Sequence, residues 1–155
     1  MTLHPSERIP VLVVRVGARA CAVPLEHVGE TLRPLPISPV AGMPAFVRGM
    51  SVVRGAPTPV VDLDVLLGGG AESATRRWVT LKLGARQVAL GVDSVVGLRH
   101  LEPAQLGELP PILRDAAADF IEALGTRDAE ILLVLRAARL VPDDLWLTLA
   151  AEARP

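Results

Sequence analysis

The sequence predicts an all-β protein with one C-terminal helix, built from two similar β-units that share a core. Three observations carry this reading. Short Val-, Leu- and Ile-rich runs recur between breaks, with 13 glycines and 14 prolines in 155 residues, the punctuation of strands and turns. The chain also repeats itself. Displaced by 67 positions, Val16-Gly17-Ala18-Arg19 lies on Leu83-Gly84-Ala85-Arg86, Ala22-Val23 on Ala89-Leu90, Glu26 on Asp93, and Val28 on Val95. Displaced by 74, Phe46-Val47 lies on Phe120-Ile121, Val60-Val61 on Val134-Leu135, and Leu66 on Leu140. Two blocks in the same order mark an internal duplication of units of about five strands each. Finally, Asp143–Ala153 follows Pro142 and mixes Leu145, Leu147, Leu149 and Ala150 with Trp146, a helix with Asp143 as its N-cap.

The elements follow in order. Pro10–Val16 is a β-branched strand, Gly17-Ala18-Arg19 a hairpin turn and Ala20–Val23 the returning strand. Leu25–Val28 suits one helical turn. Residues 34–44 hold four prolines, which cannot donate to a ladder, so this is an extended surface loop. Val47–Val53 and Pro57–Leu63 flank a turn at Arg54-Gly55, Asp64–Leu67 is a helical turn, and Gly68–Arg77 a flexible connector. The second unit runs through Trp78–Leu83, a turn at Gly84-Ala85-Arg86, Gln87–Val92 and Val95–Arg99. Residues 101–119 are irregular, with room for short helices. Ile121–Thr126 and Ile131–Leu135 then bracket Arg127–Glu130.

Composition bounds the function. Half of the residues are hydrophobic and mean hydropathy is +0.41, enough for one cooperative core and against disorder. Aromatics are limited to Phe46, Phe120, Trp78 and Trp146, so Val, Leu, Ile and Ala must build that core. A net charge of −1 argues against nucleic acid. A single cysteine, Cys21, excludes an internal disulfide and fits a reducing compartment. No apolar run is long enough to cross a membrane as a helix, and the polar stretch Met1–Arg8 is no signal peptide. A cytoplasmic location is expected.

The catalytic inventory is empty. His4, His27 and His100 lack metal-ligand spacing. Cys21, between two alanines, reads as a buried small hydrophobe. Gly68-Gly69-Gly70 is not followed by a Lys-Ser/Thr pair and is no phosphate cradle. Asp62 and Asp64 read as a solvated pair at a strand end, without further ligands for a cation. Ser51 and Ser94 have no nucleophile elbow. No enzymatic activity, metal or cofactor is expected.

One segment points to a family. Phe46-Val-Arg-Gly-Met-Ser-Val-Val-Arg-Gly-Ala-Pro-Thr-Pro-Val-Val-Asp-Leu63 resembles the signature of the CheW-like family of bacterial chemotaxis coupling proteins. Val23–Glu30, Gly91–Gly97 and Phe120–Leu140 match further blocks in order, so the resemblance covers about residues 10–150. It implies two five-stranded SH3-like β-barrels sharing a core, with a C-terminal helix. The single CheW-like domain would span 8–153, with subdomain one at about 17–67, subdomain two at about 78–140, and terminal segments completing the barrels.

The resemblance also implies a non-enzymatic adaptor that couples methyl-accepting chemoreceptors to a CheA-type histidine kinase. Its partners would be the receptor's cytoplasmic tip, the kinase regulatory domain and other CheW-like proteins in arrays. Carried over by position, Val28, Glu30 and Gly49 belong to receptor binding, and Arg54 and Gly55 to kinase coupling. A seam between barrels is a natural groove for a receptor helix. Each residue also has a plainer reading: Val28 as core, Gly49 and Gly55 as suppliers of positive φ, Arg54 as half of a salt bridge. Val52 stands where the family has Asn. The missing amide removes a local hydrogen-bonding group beside the turn, which fits an alternative: an accessory scaffold that binds receptors but couples weakly to the kinase, in a gliding or twitching system.

Overall fold

The computed structural model describes residues 8–69, 75–107, 121–127 and 130–152. Strands β1 (Ile9–Val16) and β2 (Arg19–Pro24) form the first hairpin. A 3-10 turn at Leu25–His27 leads into β3 (Val28–Leu32). After the proline loop come β4 (Val47–Val53), β5 (Ala56–Asp62) and the short helix α1 (Leu63–Leu66). The second unit supplies β6 (Arg77–Leu83), β7 (Arg86–Val92), β8 (Ser94–Leu101), β9 (Ile121–Arg127) and β10 (Glu130–Leu135). A 3-10 turn at Ala137–Arg139 then leads to helix α2 (Asp143–Glu152). The expected flexibility within Gly68–Arg77, and most of the irregular stretch 101–119, fall on residues 70–74 and 108–120, outside the described residues. Asp143 is the first residue of α2 and not its N-cap. There, with Asp144, it sets negative charge in the first turn, where the helix dipole favours it.

The ten strands form two sheets of five, ordered β8-β1-β2-β10-β9 and β3-β6-β7-β5-β4. The duplication explains this order. With β1 matched to β6, β2 to β7, β3 to β8, β4 to β9 and β5 to β10, each sheet maps onto the other. Even the irregularities correspond: the ladder slips between Val47 and Gly49 opposite Val61 and Val60, and between Ile121 and Ala123 opposite Leu135 and Val134. The parallel pair Val60↔Ala89 has its counterpart in Val134↔Ala22.

The division at 17–67 and 78–140 is therefore corrected. One sheet is the continuous stretch from β3 to β7; the other joins the β1–β2 hairpin to β8, β9 and β10. The two repeats exchange their leading hairpins. The reason is the long β1–β8 and β3–β6 antiparallel ladders, which pair strands from different units.

Each sheet curls around its own apolar cluster as an SH3-like barrel: Val11, Val13, Ala20, Ala22, Leu101, Leu132 and Val134 in one, and Val53, Val60, Trp78 and Ala89 in the other. Alternate residues of the same strands face the opposite way. Leu12, Val14, Cys21, Val23, Val61, Val79, Leu81, Leu90 and Leu135 meet in a third cluster that joins the barrels. Burial on both faces explains why Val11–Val14 reads as an unbroken apolar run and not as an alternation. Helix α2 covers this joint with Trp146 and Leu149, while Leu147 points out.

Candidate functional site

The signature segment folds as the β4–β5 hairpin. Val53 pairs with Ala56, leaving Arg54 and Gly55 as a two-residue loop with φ of +52° and +79°. Positive φ at both positions is the type I′ arrangement, whose twist matches the flanking strands. Gly55 adopts it freely. Arg54 is the one non-glycine residue with positive φ among the described residues, so the hairpin holds a bulky side chain in a conformation it seldom takes.

Glu30 reaches Arg54 from the other edge of the same sheet. The ladder between β3 and β6 slips between Val28↔Leu81 and Thr31↔Val79, and buried Thr80 pins the bulge. Its Oγ1 accepts from Glu30 N at 2.8 Å and donates to Glu30 O at 3.3 Å. A Cβ on Gly29 would lie 2.6 Å from that oxygen, so the bulge needs glycine there. The bulge re-aims Glu30 at Arg54, which donates from Nε to both carboxylate oxygens at 3.2 Å and from Nη2 to Oε1 at 3.0 Å. These bonds, and then the carboxylate charge, raise the Arg54 pKa further. The Arg54 side chain remains 79% exposed, so the pair is a charged feature open to a partner. Glu30 and Arg54, expected on two different surfaces, form one.

Gly49 is not on a surface. It is buried, with φ +141°, and a Cβ there would lie 2.2 Å from the Ser38 carbonyl oxygen. The proline loop crosses β4 at this point: Ser38 N donates to Met50 O at 2.7 Å, Met50 N to Ser38 O at 2.8 Å, and Ser51 Oγ to Pro36 O at 2.8 Å. Glycine is required by that crossing. The crossing displays Leu35 and Ile37 beside Val52, three of the large apolar side chains left exposed. Val52 itself corrects the reading of the missing amide. It is a strand residue paired with Pro57 and 66% exposed, so the turn is held by the Val53↔Ala56 pair and asks nothing of position 52.

Val28 is half-buried against the joint core, between its two readings. Next to it, His27 lines a cleft at the seam with Leu83, Gly84, Arg86, Arg139, Asp143 and Trp146. Neither Val28 nor Gly49 lines that cleft. Arg86 stacks 4.8 Å from the Trp146 ring centroid and sits 3.8 Å from Asp143, roofing the indole with charge.

Asp62 is not solvated. It is wholly buried, 2.7 Å from Arg48, and its Oδ1 accepts from Val65 N at 3.2 Å, capping α1. It anchors the end of the hairpin. Cys21 is fully buried, and burial pushes its thiol up to about 12 against a weak opposing pull from Arg19. Among the described residues no three His, Cys, Asp or Glu side chains converge as metal ligands, and none of their helices is long and apolar enough to cross a membrane. Sequence reasoning passed over Gly29, Thr80 and Arg48; a glycine directly before the acidic Glu30 was the available sign of a bulge.

Residues 10–144 match the family model described as CheW-like domain. Protein FrzA of Myxococcus xanthus is 34% identical over 126 residues, covering 77% of this chain and 78% of that protein. Protein PilI of Pseudomonas aeruginosa is 29% identical over 116 residues, covering 74% and 65%. The chemotaxis protein CheW of Rhizobium meliloti is 26% identical over 136 residues, covering 86% and 88%. In fold, the chain is similar to the crystal structure of the scaffolding protein TtCheW from Thermoanaerobacter tengcongensis. The TM-score is 0.76 at 20% identity, over 88% of this chain and 94% of that one.

Proposed function

The chain belongs to the CheW-like family, and from that premise we propose that it is a non-enzymatic adaptor coupling chemoreceptor tips to a CheA-type histidine kinase. It works in the cytoplasm, recruited to receptor arrays with other CheW-like proteins. The observation that carries this reading is the family match over residues 10–144, which includes the whole signature hairpin. Arg54 and Glu30, locked together and exposed, form the charged contact of this surface, and Gly55 serves the turn that presents them. Val28 contributes to the receptor face from the seam. Gly49 acts indirectly, by letting the proline loop cross β4.

A second reading has its own support. Val52 puts an exposed isopropyl group at the family's Asn position, and the relatives FrzA and PilI carry names other than that of the chemotaxis protein. On this reading the chain is an accessory scaffold of a non-flagellar system, binding receptors while coupling weakly to the kinase.

Reconstitution of receptor cytoplasmic fragment, kinase and this protein separates the two. Kinase activation in a ternary complex supports coupling. Receptor co-sedimentation without activation supports the accessory role, and binding to neither partner rejects both.

A further inference from the structure

Six of the described arginines are held by acidic side chains. Arg8, Arg15, Arg48, Arg54, Arg86 and Arg139 each face a carboxylate within 4.0 Å. Arg33, Arg76 and Arg77 differ. They are exposed and line one cleft, with Pro34, Asp93, Ser94 and Val95, where the end of β3, the start of β6 and the β7–β8 junction meet. Among the described residues none of the three has a side-chain hydrogen bond or ion pair. Among the described residues Asp93 is the one carboxylate lining the cleft, and its Oδ2 already accepts from Gly17 N at 2.6 Å. Like charges gathered on one cleft repel one another, and in a chain of net charge −1 the concentration is local.

We infer that this cleft binds an acidic segment of a partner protein, a run of Asp and Glu side chains laid across Arg33, Arg76 and Arg77. Guanidinium forks match carboxylates and phosphates alike, so other features must choose between them. A phosphate site usually adds free backbone N–H groups, from a nest or a helix N-terminus. Here two of the backbone donors are already used: Arg76 N donates to Val92 O and Asp93 N to Arg15 O, both at 3.0 Å. The cations also come from two separate segments, Arg33 after β3 and Arg76–Arg77 at the start of β6, and Asp93 sits among them. That arrangement suits a string of single charges better than one compact dianion. The site has no residue in common with the Glu30–Arg54 pair, so it stands or falls apart from the adaptor reading.

The test titrates the isotope-labelled full chain with a hexaglutamate peptide at low salt and follows backbone amide signals. Shifts are expected at Arg33, Arg76, Arg77 and Ser94. The double variant Arg76→Ser, Arg77→Ser should bind about tenfold more weakly. The control Arg99→Ser, Arg136→Ser removes the same charge from a half-buried and an exposed arginine that do not line the cleft, and should bind within about twofold of wild type. Equal weakening by both variants, shifts spread over all exposed arginines, or no response to the peptide would each overturn the proposal. A parallel titration with tripolyphosphate decides ligand class: tighter binding than the peptide at the same amides would make this a phosphate site and reject the acidic segment. Because the three side chains bond to no described residue, the variants should melt with the wild type; if the double variant does not, Arg33→Ser supplies the same comparison.

Discussion

Replacing Gly49 by alanine tests whether that residue supports the surface or belongs to it. Two costs arise. An L-residue at φ +141° stores about 1–3 kcal/mol of backbone strain. A Cβ 2.2 Å from the Ser38 carbonyl oxygen and 2.8 Å from its carbon meets backbone, which cannot swing aside as a side chain can. Overpacking of this kind costs about 1–3 kcal/mol. Relief by lifting the loop breaks the paired Ser38–Met50 hydrogen bonds, at about 0.5–1.5 kcal/mol each. Since relief trades one penalty for the other, a total of about 2–6 kcal/mol is expected, or roughly 4–24 °C in Tm for a chain of this size. Gly55→Ala is the control: its φ of +79° carries strain, but nothing lies within 4 Å of the new Cβ, so about 1–2 kcal/mol is expected. Urea unfolding followed by circular dichroism gives both values. Equal losses for the two variants would refute the close-approach argument. A Gly49→Ala protein of wild-type stability with reduced receptor affinity would show the glycine to be a direct contact.

Arg54→Glu should leave Tm near wild type, since the pair it breaks is exposed, while weakening the ternary complex; the swap Glu30→Arg, Arg54→Glu restores the ion pair, and pull-downs that recover with it would assign the pair a purely structural role. Asp62→Ala removes a fully buried carboxylate from Arg48 and from the α1 cap, so a loss of about 3–5 kcal/mol is expected in denaturant titrations; a loss below about 1 kcal/mol would contradict it. Cys21, with its thiol raised from 9.0 to about 12, stays protonated in the native state while the unfolded chain loses its proton above pH 9. Stability from this group is therefore complete below pH 9 and falls by about 1.4 kcal/mol per pH unit toward pH 12; Cys21→Ala should lack that slope, and a native thiol that reacts freely at pH 8 would contradict the burial. Unfolding should be a single transition, because the joint core draws on both sheets, and a fragment of residues 1–74 should not fold, lacking β6 to β10; a cooperative melt of that fragment would refute the shared core.

The sequence by itself determined the elements and their duplication. Hairpin turns at Gly17 and Gly84, the proline loop, and the matched blocks at displacements of 67 and 74 all follow from local chemistry: which residues tolerate positive φ, which lack a donor, which fill a pleated face. The shared core was legible too, because a strand buried on both faces loses its alternation, as Val11–Val14 does. What the tertiary structure alone decided is which strands meet. Antiparallel partners 70 residues or more apart, such as Ile9↔Leu101, leave no trace in a repeat, since exchanged hairpins and separate ones predict the same spacing. The site divided along the same line. Arg54 and Gly55 sit on a turn that the Arg-Gly pair announces. The meeting of Arg54 with Glu30 depends on a bulge set by Thr80, fifty residues away, and the burial of Gly49 depends on a loop that had only looked extended. Side chains signal their own conformational needs; the neighbours that a folded sheet brings to them are set by long-range pairing.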